Sequence, residues 1–269
     1  MKKTLHYFSL LGLFIFCAVN LNAQEKKKED FKPLFNGKNF DGWYLKIKSG
    51  DAELAKEVFS IDTINENVHV FKDFPDKYEF NTGENNTHGM MYTDTTYSRY
   101  VLKFEYKWGK VRANNFNKYQ YDAGVYYHVV DDNIWPKGIE YQVRYNHFER
   151  QNHTGDFWAN NITWFTVDGA TFTEPVRGGK PNKTKSGEHR AHMYSRYNAL
   201  NGKWNKCEII VMGNKYAIHK LNGRIVNMAT NLPFSKGKIG LQSETAEIFY
   251  RNVKIKEFKK DYPKEHFFF

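Results

Sequence analysis

Alternation of apolar with polar residues constrains the fold of this chain more than any other feature of its sequence. Residues 102–108 (LKFEYKW) and 139–145 (IEYQVRY) place an apolar side chain at every second position. Successive side chains of a β-strand point to opposite faces of the sheet, so each segment predicts a strand with one buried face. No window of helical length sustains a period of 3.6, although residues 51–57 suit a short helical turn.

Other segments of the chain predict strands that are joined by tight turns. Two dipeptides, Gly213-Asn214 and Asn222-Gly223, are typical of two-residue hairpin turns. The stretch 174–187 is rich in Pro, Gly, Lys and Asn and predicts a long loop. Together these patterns predict an all-β sandwich of two antiparallel sheets, and the aromatic content of 17% suits sheets packed face to face. The further predicted strands are residues 122–130, 204–212, 215–221, 224–228, 238–243 and 247–257.

The first 23 residues have the organisation of a secretory signal peptide. Lys2 and Lys3 precede an uncharged apolar run at residues 10–19, and small residues lead to a cleavage position before Gln24. The apolar run is shorter than the roughly 20 residues that a membrane-spanning helix needs. We therefore predict an exported protein, periplasmic or extracellular, that is soluble after cleavage and has no membrane span.

The rest of the chain predicts one domain. We expect a charged linker at 24–30, a β-sandwich domain at 31–258 and a tail at 259–269. Cleavage of the leader leaves Cys207 as the only cysteine, so the core must be stable without an intrachain disulfide. The formal net charge of +10 is scattered and no nucleic-acid motif accompanies it, which favours a solvated surface over a nucleic-acid partner. The oligomeric state stays open.

Nine short motifs follow one another along the chain between residues 31 and 258. The motifs are LFNGK, FDGW, GVYY, EYQ, GDFW, GKWN, LNG, GLQ and FYRNVKI. In this order and spacing the chain resembles the 3-keto-disaccharide hydrolase domain family. The resemblance implies a concanavalin A-like jelly roll and an activity on sugars, since characterised relatives cleave glycosides already oxidised to a ketone at C3.

The sequence departs from the family pattern at three places near the implied cleft. Residues 122–124 read DAG where the family often has NSG, and His128 stands where arginine is frequent. Residues 243–245 read SET where many members have DHG. The expected activity is therefore cleavage of 3-keto-glycosides by elimination or hydrolysis, with a non-catalytic carbohydrate-binding module as the alternative. A two-carboxylate glycosidase acting on an unoxidised sugar is a weaker third hypothesis.

Glu140 and Gln142 are the leading candidates for the site. Their spacing places both side chains on one face of a strand, while Tyr141 and Val143 point into the core. A carboxyl beside an amide on a concave sheet could move a proton and hold sugar hydroxyls. The alternative is structural, because Glu140 could form a salt bridge with its same-face neighbour Arg144.

Asp156 and His128 complete the predicted catalytic set. Glycan cleavage commonly needs two carboxyl groups, and Asp156 offers the second unless it is only a turn residue after Gly155. His128 continues the strand that begins near Gly124, and histidine titrates near neutral pH, which suits acid–base catalysis. Its alternative is a histidine that is merely hydrogen-bonded.

The remaining candidates would bind the substrate, a sugar or glycan, together with Gln142 and Arg144. Trp158 is either a platform for a stacked sugar or a core residue. Glu244 shares the strand face of Gln242 two residues earlier, and Arg251 either binds a sugar hydroxyl or pairs with Glu247.

No cofactor or metal ligand set is predicted. Neither HExxH nor paired CxxC occurs, and His189 and His192 would point to opposite faces of a strand. A calcium ion bound by aspartate and backbone carbonyl oxygens stays open.

Overall fold

Two antiparallel β-sheets pack face to face, which confirms the predicted all-β sandwich. The computed structural model describes residues 31–76, 86–114, 121–193 and 195–269. The predicted leader and linker lie outside the described residues. In the part of the chain that is described, no helix has the length and apolar character needed to cross a membrane.

The larger sheet has ten strands among the described residues. Numbered in chain order, they are β1 (Lys32–Pro33), β3 (Phe59–Asp62), β4 (Asn67–Val70), β6 (Arg99–Arg112), β11 (Thr163–Thr166), β12 (Lys180–Lys183), β14 (Asn205–Met212), β15 (Tyr216–Leu221), β16 (Arg224–Thr230) and β18 (Ala246–Glu257). They lie in the order β12-β11-β16-β15-β14-β6-β18-β4-β3, and β1 pairs with β18.

The smaller sheet has eight strands among the described residues, and it carries the candidate site. They are β2 (Trp43–Ile47), β5 (Gly89–Thr93), β7 (Tyr121–Val129), β8 (Ile139–Asn146), β9 (Gln151–Asn152), β10 (Phe157–Trp158), β13 (Glu188–His189) and β17 (Lys238–Ser243). Their order is β13-β10-β8-β7-β17-β5-β2, and β9 pairs with β8.

The alternating segments form strands in the predicted phase. Leu102, Phe104 and Tyr106 of β6 are buried, whereas Lys103 and Glu105 between them are partly exposed. The predicted turn at 51–57 is a helix, α1 (Ala52–Val58), and the carboxylate of Asp51 caps it by accepting the amide protons of Glu53 and Leu54.

One of the two predicted hairpin turns is confirmed. Leu221 pairs with Arg224 across Asn222-Gly223, whose φ angles of 48° and 82° suit a two-residue turn. The turn at Gly213-Asn214 is longer than predicted. Met212 pairs with Tyr216, so the loop has a third residue, Lys215, whose amide donates to the carbonyl of Met212.

The predicted long loop at 174–187 contains regular structure that its composition hides. A 3-10 turn at Pro175–Arg177 leads into β12, which pairs with β11 at the edge of the larger sheet. Pro181 fits this position because an edge strand tolerates a residue without an amide proton.

The segment expected to be a tail, 259–269, packs back on the larger sheet. Asp261 pairs with Arg99 and Lys215, and the hydroxyl of Tyr216 donates to the carbonyl of Tyr262 at 2.6 Å. Residues 264–267 form a final 3-10 turn, and Phe267 packs against the core.

A buried histidine links the two sheets. Nδ1 of His219 in β15 donates to the carbonyl of Gly155 at 2.9 Å, and the hydroxyl of Tyr127 in β7 donates to Nε2 at 3.0 Å. The imidazole stacks on Phe157 with the ring centroids 3.7 Å apart. Burial lowers the pKa of His219 to about 3, so the ring stays neutral as this arrangement requires.

We predict that replacing His219 with leucine lowers the free energy of unfolding by about 1–3 kcal/mol, because the buried hydroxyl of Tyr127 loses its partner. The measurement is chemical denaturation of His219→Leu, Tyr127→Phe and the double variant. The double variant should lose less stability than the sum of the single losses. Additive losses would contradict the link.

Candidate functional site

A cleft of about 400 Å³ opens on the face of the smaller sheet that points away from the core. Its polar residues stand in rows across neighbouring strands. Glu140 lies opposite Tyr126, Gln142 opposite Gly124, and Arg144 opposite Asp122, so these side chains share one face. The lining residues are Asp122, Tyr126, Trp135, Pro136, Gly138, Glu140, Gln142, Arg144, Trp158, Ala159, Asn160, Gln242 and Glu244.

The period of two decides which residues of β8 reach the cleft. Tyr141 and Val143 are fully buried in the core between the sheets, as the sequence predicts. Their neighbours Glu140, Gln142 and Arg144 face the opposite way and line the cleft. A shift of one residue in the pairing would exchange the two sets.

Two tryptophans flank the polar floor. Trp158 of β10 lies opposite Glu140 and is 40% exposed, and Trp135 in the loop between β7 and β8 is 47% exposed. Tyr92 holds this loop by donating its hydroxyl to the carbonyl of Asn133 at 2.7 Å. Half-exposed indoles beside polar groups are suited to the apolar face and the hydroxyls of a sugar.

Three carboxyl groups enter the cleft in surroundings that favour their neutral forms. Burial, followed by repulsion from Asp122, raises the pKa of Glu140 to about 8, although Tyr126 donates a hydrogen bond to it. Burial likewise raises the pKa of Asp122 to about 7, with the charge of Arg144 opposing the rise. The pKa of Glu244 lies well above its usual range because of burial and the other two carboxyl groups.

Arg144 is held by a network of charged residues behind the cleft. Its guanidinium pairs with Glu188 and lies 3.9 Å from Asp122. Nδ1 of His153 lies 3.0 Å from Glu188 and 3.2 Å from Asp156. Burial opposes protonation of His153, but hydrogen bonds to these two carboxylates outweigh it and raise its pKa.

Asp156 belongs to this network and does not line the cleft. It is fully buried, and it accepts hydrogen bonds from Nη1 of Arg190 and the amide of Ala191, both at 2.7 Å. Burial raises its pKa to about 6, against the opposing effects of His153 and Arg190. The structure therefore places Asp156 where it positions His153, behind the residues that a substrate would contact.

His128 does not reach the cleft, contrary to the prediction. The register shifts between β7 and β17 after Tyr126, and His128 has a φ of 50°. This bulge breaks the period of two, so the imidazole is buried near the carbonyls of Phe234 and Ser98. Burial lowers its pKa to about 4.

Arg251 lies on the other sheet and is not a cleft residue, contrary to the prediction. Its Nε donates to Glu105 at 2.8 Å across the pair β18–β6, and its guanidinium lies 3.9 Å from the ring centre of Trp204. Glu247, the other partner considered, instead pairs with His69.

The structure brings Trp158, Glu244, Gln142 and Arg144 to the cleft with Glu140. Sequence reasoning missed several further residues of the cleft and of the network behind it. Asp122 and Gln242 could have been predicted from the sequence, because each lies two residues along a strand from another residue of the cleft, and residues two apart share a face. Trp135 had only a weak signal, as a tryptophan in a loop. The missed residues are Asp122, Tyr126, Trp135, Gln242, His153 and Glu188.

One group of described residues has donor atoms close enough to bind a metal ion. Donor atoms of His153, Asp156 and Glu188 lie within 4.8 Å of one another. Arg144 and Arg190 already pair with these carboxylates. The arrangement therefore suits an internal ion network.

Comparison with known proteins identifies relatives of the chain. Residues 30–256 match the model of a family described as the 3-keto-alpha-glucoside-1,2-lyase-like domain. A search of curated proteins gave no match.

The chain is similar to several solved structures. A protein of Parabacteroides distasonis assigned as a glycosyl hydrolase is 20% identical, with a TM-score of 0.51 over 89% of this chain and 99% of that one. A β-glucanase of Bacillus licheniformis is 13% identical, with a TM-score of 0.47 over 85% and 97%. A carbohydrate-binding module of Bacillus subtilis is 14% identical, with a TM-score of 0.45 over 80% and 96%.

We predict that Glu140→Gln stabilises the protein more at pH 8 than at pH 5. Because the pKa of Glu140 rises from 4.5 to about 8 on folding, the folded state holds the proton more tightly, and stability falls as pH rises through this window. The glutamine removes that loss. The gain from pH 5 to pH 8 should be at least about 1.4 kcal/mol, the equivalent of one pKa unit.

The measurement is urea denaturation of both proteins at the two pH values. Equal differences in unfolding free energy at pH 5 and pH 8 would mean that Glu140 titrates normally.

Proposed function

The chain belongs to the 3-keto-alpha-glucoside-1,2-lyase-like family, and on that premise we propose that its cleft binds a glycoside oxidised at C3 and cleaves the glycosidic bond. The observation that carries the proposal is the convergence of Asp122, Glu140 and Glu244 on one polar floor between Trp135 and Trp158. Carboxyl groups with raised pKa values can exchange protons near neutral pH, and the indoles can hold a sugar ring.

The ketone at C3 allows a base and an acid to cleave the glycosidic bond by elimination. It acidifies the proton on C2, so a base can remove that proton, and the electron pair of the C2–H bond is delocalised into the carbonyl as an enolate. When the enolate collapses, a C1–C2 double bond forms and the bond from C1 to the leaving oxygen breaks. An acid protonates that oxygen, and water can then add to the unsaturated sugar.

The ion pair of Asp122 with Arg144 favours Asp122 as the base, which leaves Glu140 as the acid. Asp122, which lies 3.9 Å from Arg144, has a pKa of about 7 and is partly ionised at neutral pH. Glu140, with a pKa of about 8, carries its proton there and can donate it to the leaving oxygen. Arg144 is suited to stabilise the enolate oxygen.

The proposal also includes the sequence-based expectations about export and about the residues that bind the sugar. The leader-like residues 1–23 favour export to the periplasm or beyond, where the substrate would be a glycoside or glycan fragment. Gln142 and Trp158 would bind the sugar, since Gln142 is held by hydrogen bonds from its Nε2 to Asp122 and to the carbonyl of Ala123.

We predict that the protein releases the aglycone from a chromogenic 3-keto-glucoside and leaves the unoxidised parent intact. Turnover by Glu140→Gln and by Asp122→Asn should fall at least about a hundredfold, which is the usual contribution of acid–base assistance. The pH profile should rise through about 7 and fall through about 8. Glu208→Gln, in β14 of the other sheet, is the matched control and should keep full activity.

The outcomes of this assay separate the hypotheses. Turnover of the unoxidised parent would identify a direct glycosidase. Binding of both sugars without turnover of either would identify a non-catalytic carbohydrate-binding module. Wild-type activity in folded Glu140→Gln would remove Glu140 from the mechanism.

We predict that Gly124→Ala, which replaces no titratable group, also lowers turnover by at least about tenfold. A Cβ atom at this position would lie 2.2 Å from Oε1 of Glu140, so the carboxyl group must move. The measurement is turnover of the same 3-keto-glucoside, with circular dichroism to show that the variant is folded. Unchanged turnover would show that the position of this carboxyl group is unimportant.

A further inference from the structure

The loop between β7 and β8, residues 130–138, forms one wall of the cleft and carries Trp135. Hydrogen bonds within the loop set its shape. The amide of Val130 donates to the carbonyl of Lys137 at 3.0 Å, and the carboxylate of Asp131 accepts the amide proton of Lys137 at 3.1 Å. Because both bonds join residues of the same loop, they shape it without holding it against the sheet.

Side chains from β2, β5 and β17 hold the loop against the smaller sheet. The hydroxyl of Tyr44 in β2 donates to the carboxylate of Asp132 at 2.8 Å. The ammonium group of Lys238 in β17 donates to that hydroxyl at 2.8 Å and lies 3.3 Å from the same carboxylate oxygen. Tyr92 in β5 adds the hydrogen bond to the carbonyl of Asn133.

The register of the strands places these anchoring side chains on the cleft face of the sheet. Gly240 lies opposite Tyr126 of the cleft, and Tyr92 and Tyr44 follow in the same row across β5 and β2. Lys238, two residues before Gly240, shares that face. The cleft and the anchoring residues therefore belong to one surface, and the loop extends from one to the other.

The anchored loop places the indole of Trp135 at the edge of the cleft. The indole meets the imidazole of His88 edge to face, with the ring centres 5.5 Å apart, and Nζ of Lys48 lies 5.8 Å from the centre of the indole. Much of the indole nevertheless stays exposed, so it is open to a ligand in the cleft. Its position there depends on the loop that carries it.

We propose that Asp132, Lys238 and Tyr44, together called the latch, are positioning residues that hold Trp135 in place for the sugar. The latch acts through the loop and contacts no reacting atom. The inference rests on the proposed function, because it takes the ligand of the cleft to be the 3-keto-glycoside. Without the latch, the loop would populate conformations in which Trp135 cannot meet the sugar, and the apparent affinity falls with the fraction of molecules whose loop is in place.

The first test is steady-state kinetics with the chromogenic 3-keto-glucoside. We expect Asp132→Ala to raise KM at least about fivefold, as a loop in place for about a fifth of the time would do. The value of kcat should change by less than about twofold, because a side chain that only holds the sugar stabilises substrate and transition state equally.

Two further variants calibrate this result. Asp132→Asn keeps an oxygen that accepts the hydrogen bond from Tyr44, so it should raise KM less than Asp132→Ala does. Asp62→Ala is the matched control, since it removes a carboxylate that accepts backbone amide protons in the loop between β3 and β4. It should keep the KM of the wild type.

A double-mutant cycle separates positioning from a general structural effect. If the latch acts through Trp135, Asp132→Ala should have no further effect on KM in a Trp135→Ala background. The same rise of KM in both backgrounds would overturn the proposal. An unchanged KM in Asp132→Ala, measured in an active wild-type background, would also overturn it.

A second measurement needs no substrate. The chain has six tryptophans, and after labelling with 5-fluorotryptophan the Trp135→Phe variant identifies one ¹⁹F signal among them. In Asp132→Ala and in Tyr44→Phe this signal should move toward the position of free 5-fluorotryptophan, while the other signals stay unchanged. A Trp135 signal that does not move would overturn the latch. If the wild type does not turn over the 3-keto-glucoside, the proposed function fails, and this spectrum still decides whether the latch holds Trp135.

Discussion

The candidate site depends on the hydrogen-bonded register of three neighbouring strands, β8, β7 and β17. This register sets Glu140 opposite Tyr126 and Gln142 opposite Gly124, and it brings Gln242 alongside. Because side chains alternate between faces, the same pairing sends Tyr141 and Val143 into the core. The core therefore fixes the polar floor, since a shift of one residue would bury the charged groups and expose the aromatic ones.

The cost of burying charge in this cleft is met by the surrounding structure. Arg144 pairs with Glu188, and His153 lies between that glutamate and Asp156. This network holds the guanidinium against the floor of the cleft. The carboxyl groups of Glu140 and Glu244 are instead accommodated in their neutral forms, at the pKa values that burial imposes. Because folding raises the pKa values of these carboxyl groups, the folded protein loses stability as the pH rises, which a floor of uncharged residues would not do. In return, the cleft contains carboxyl groups that can donate protons near neutral pH.

The sequence predicted those features that depend on local periodicity. The alternation at 139–145 placed Glu140 and Gln142 correctly, and Asn222-Gly223 forms the predicted turn. It failed where tertiary structure breaks the period, as at His128, where a bulge with a positive φ turns the imidazole away from the cleft. The placement of Arg251 on the opposite sheet depends on long-range pairing that no local pattern encodes.

We propose that this cleft binds a 3-keto sugar between its tryptophans. A crystal structure of Glu140→Gln with a 3-keto-glucoside tests it most directly. The account predicts the sugar ring against Trp158, with its glycosidic oxygen within hydrogen-bond distance of the residue at 140. A sugar bound elsewhere on the molecule, with the cleft occupied by solvent alone, would contradict the account.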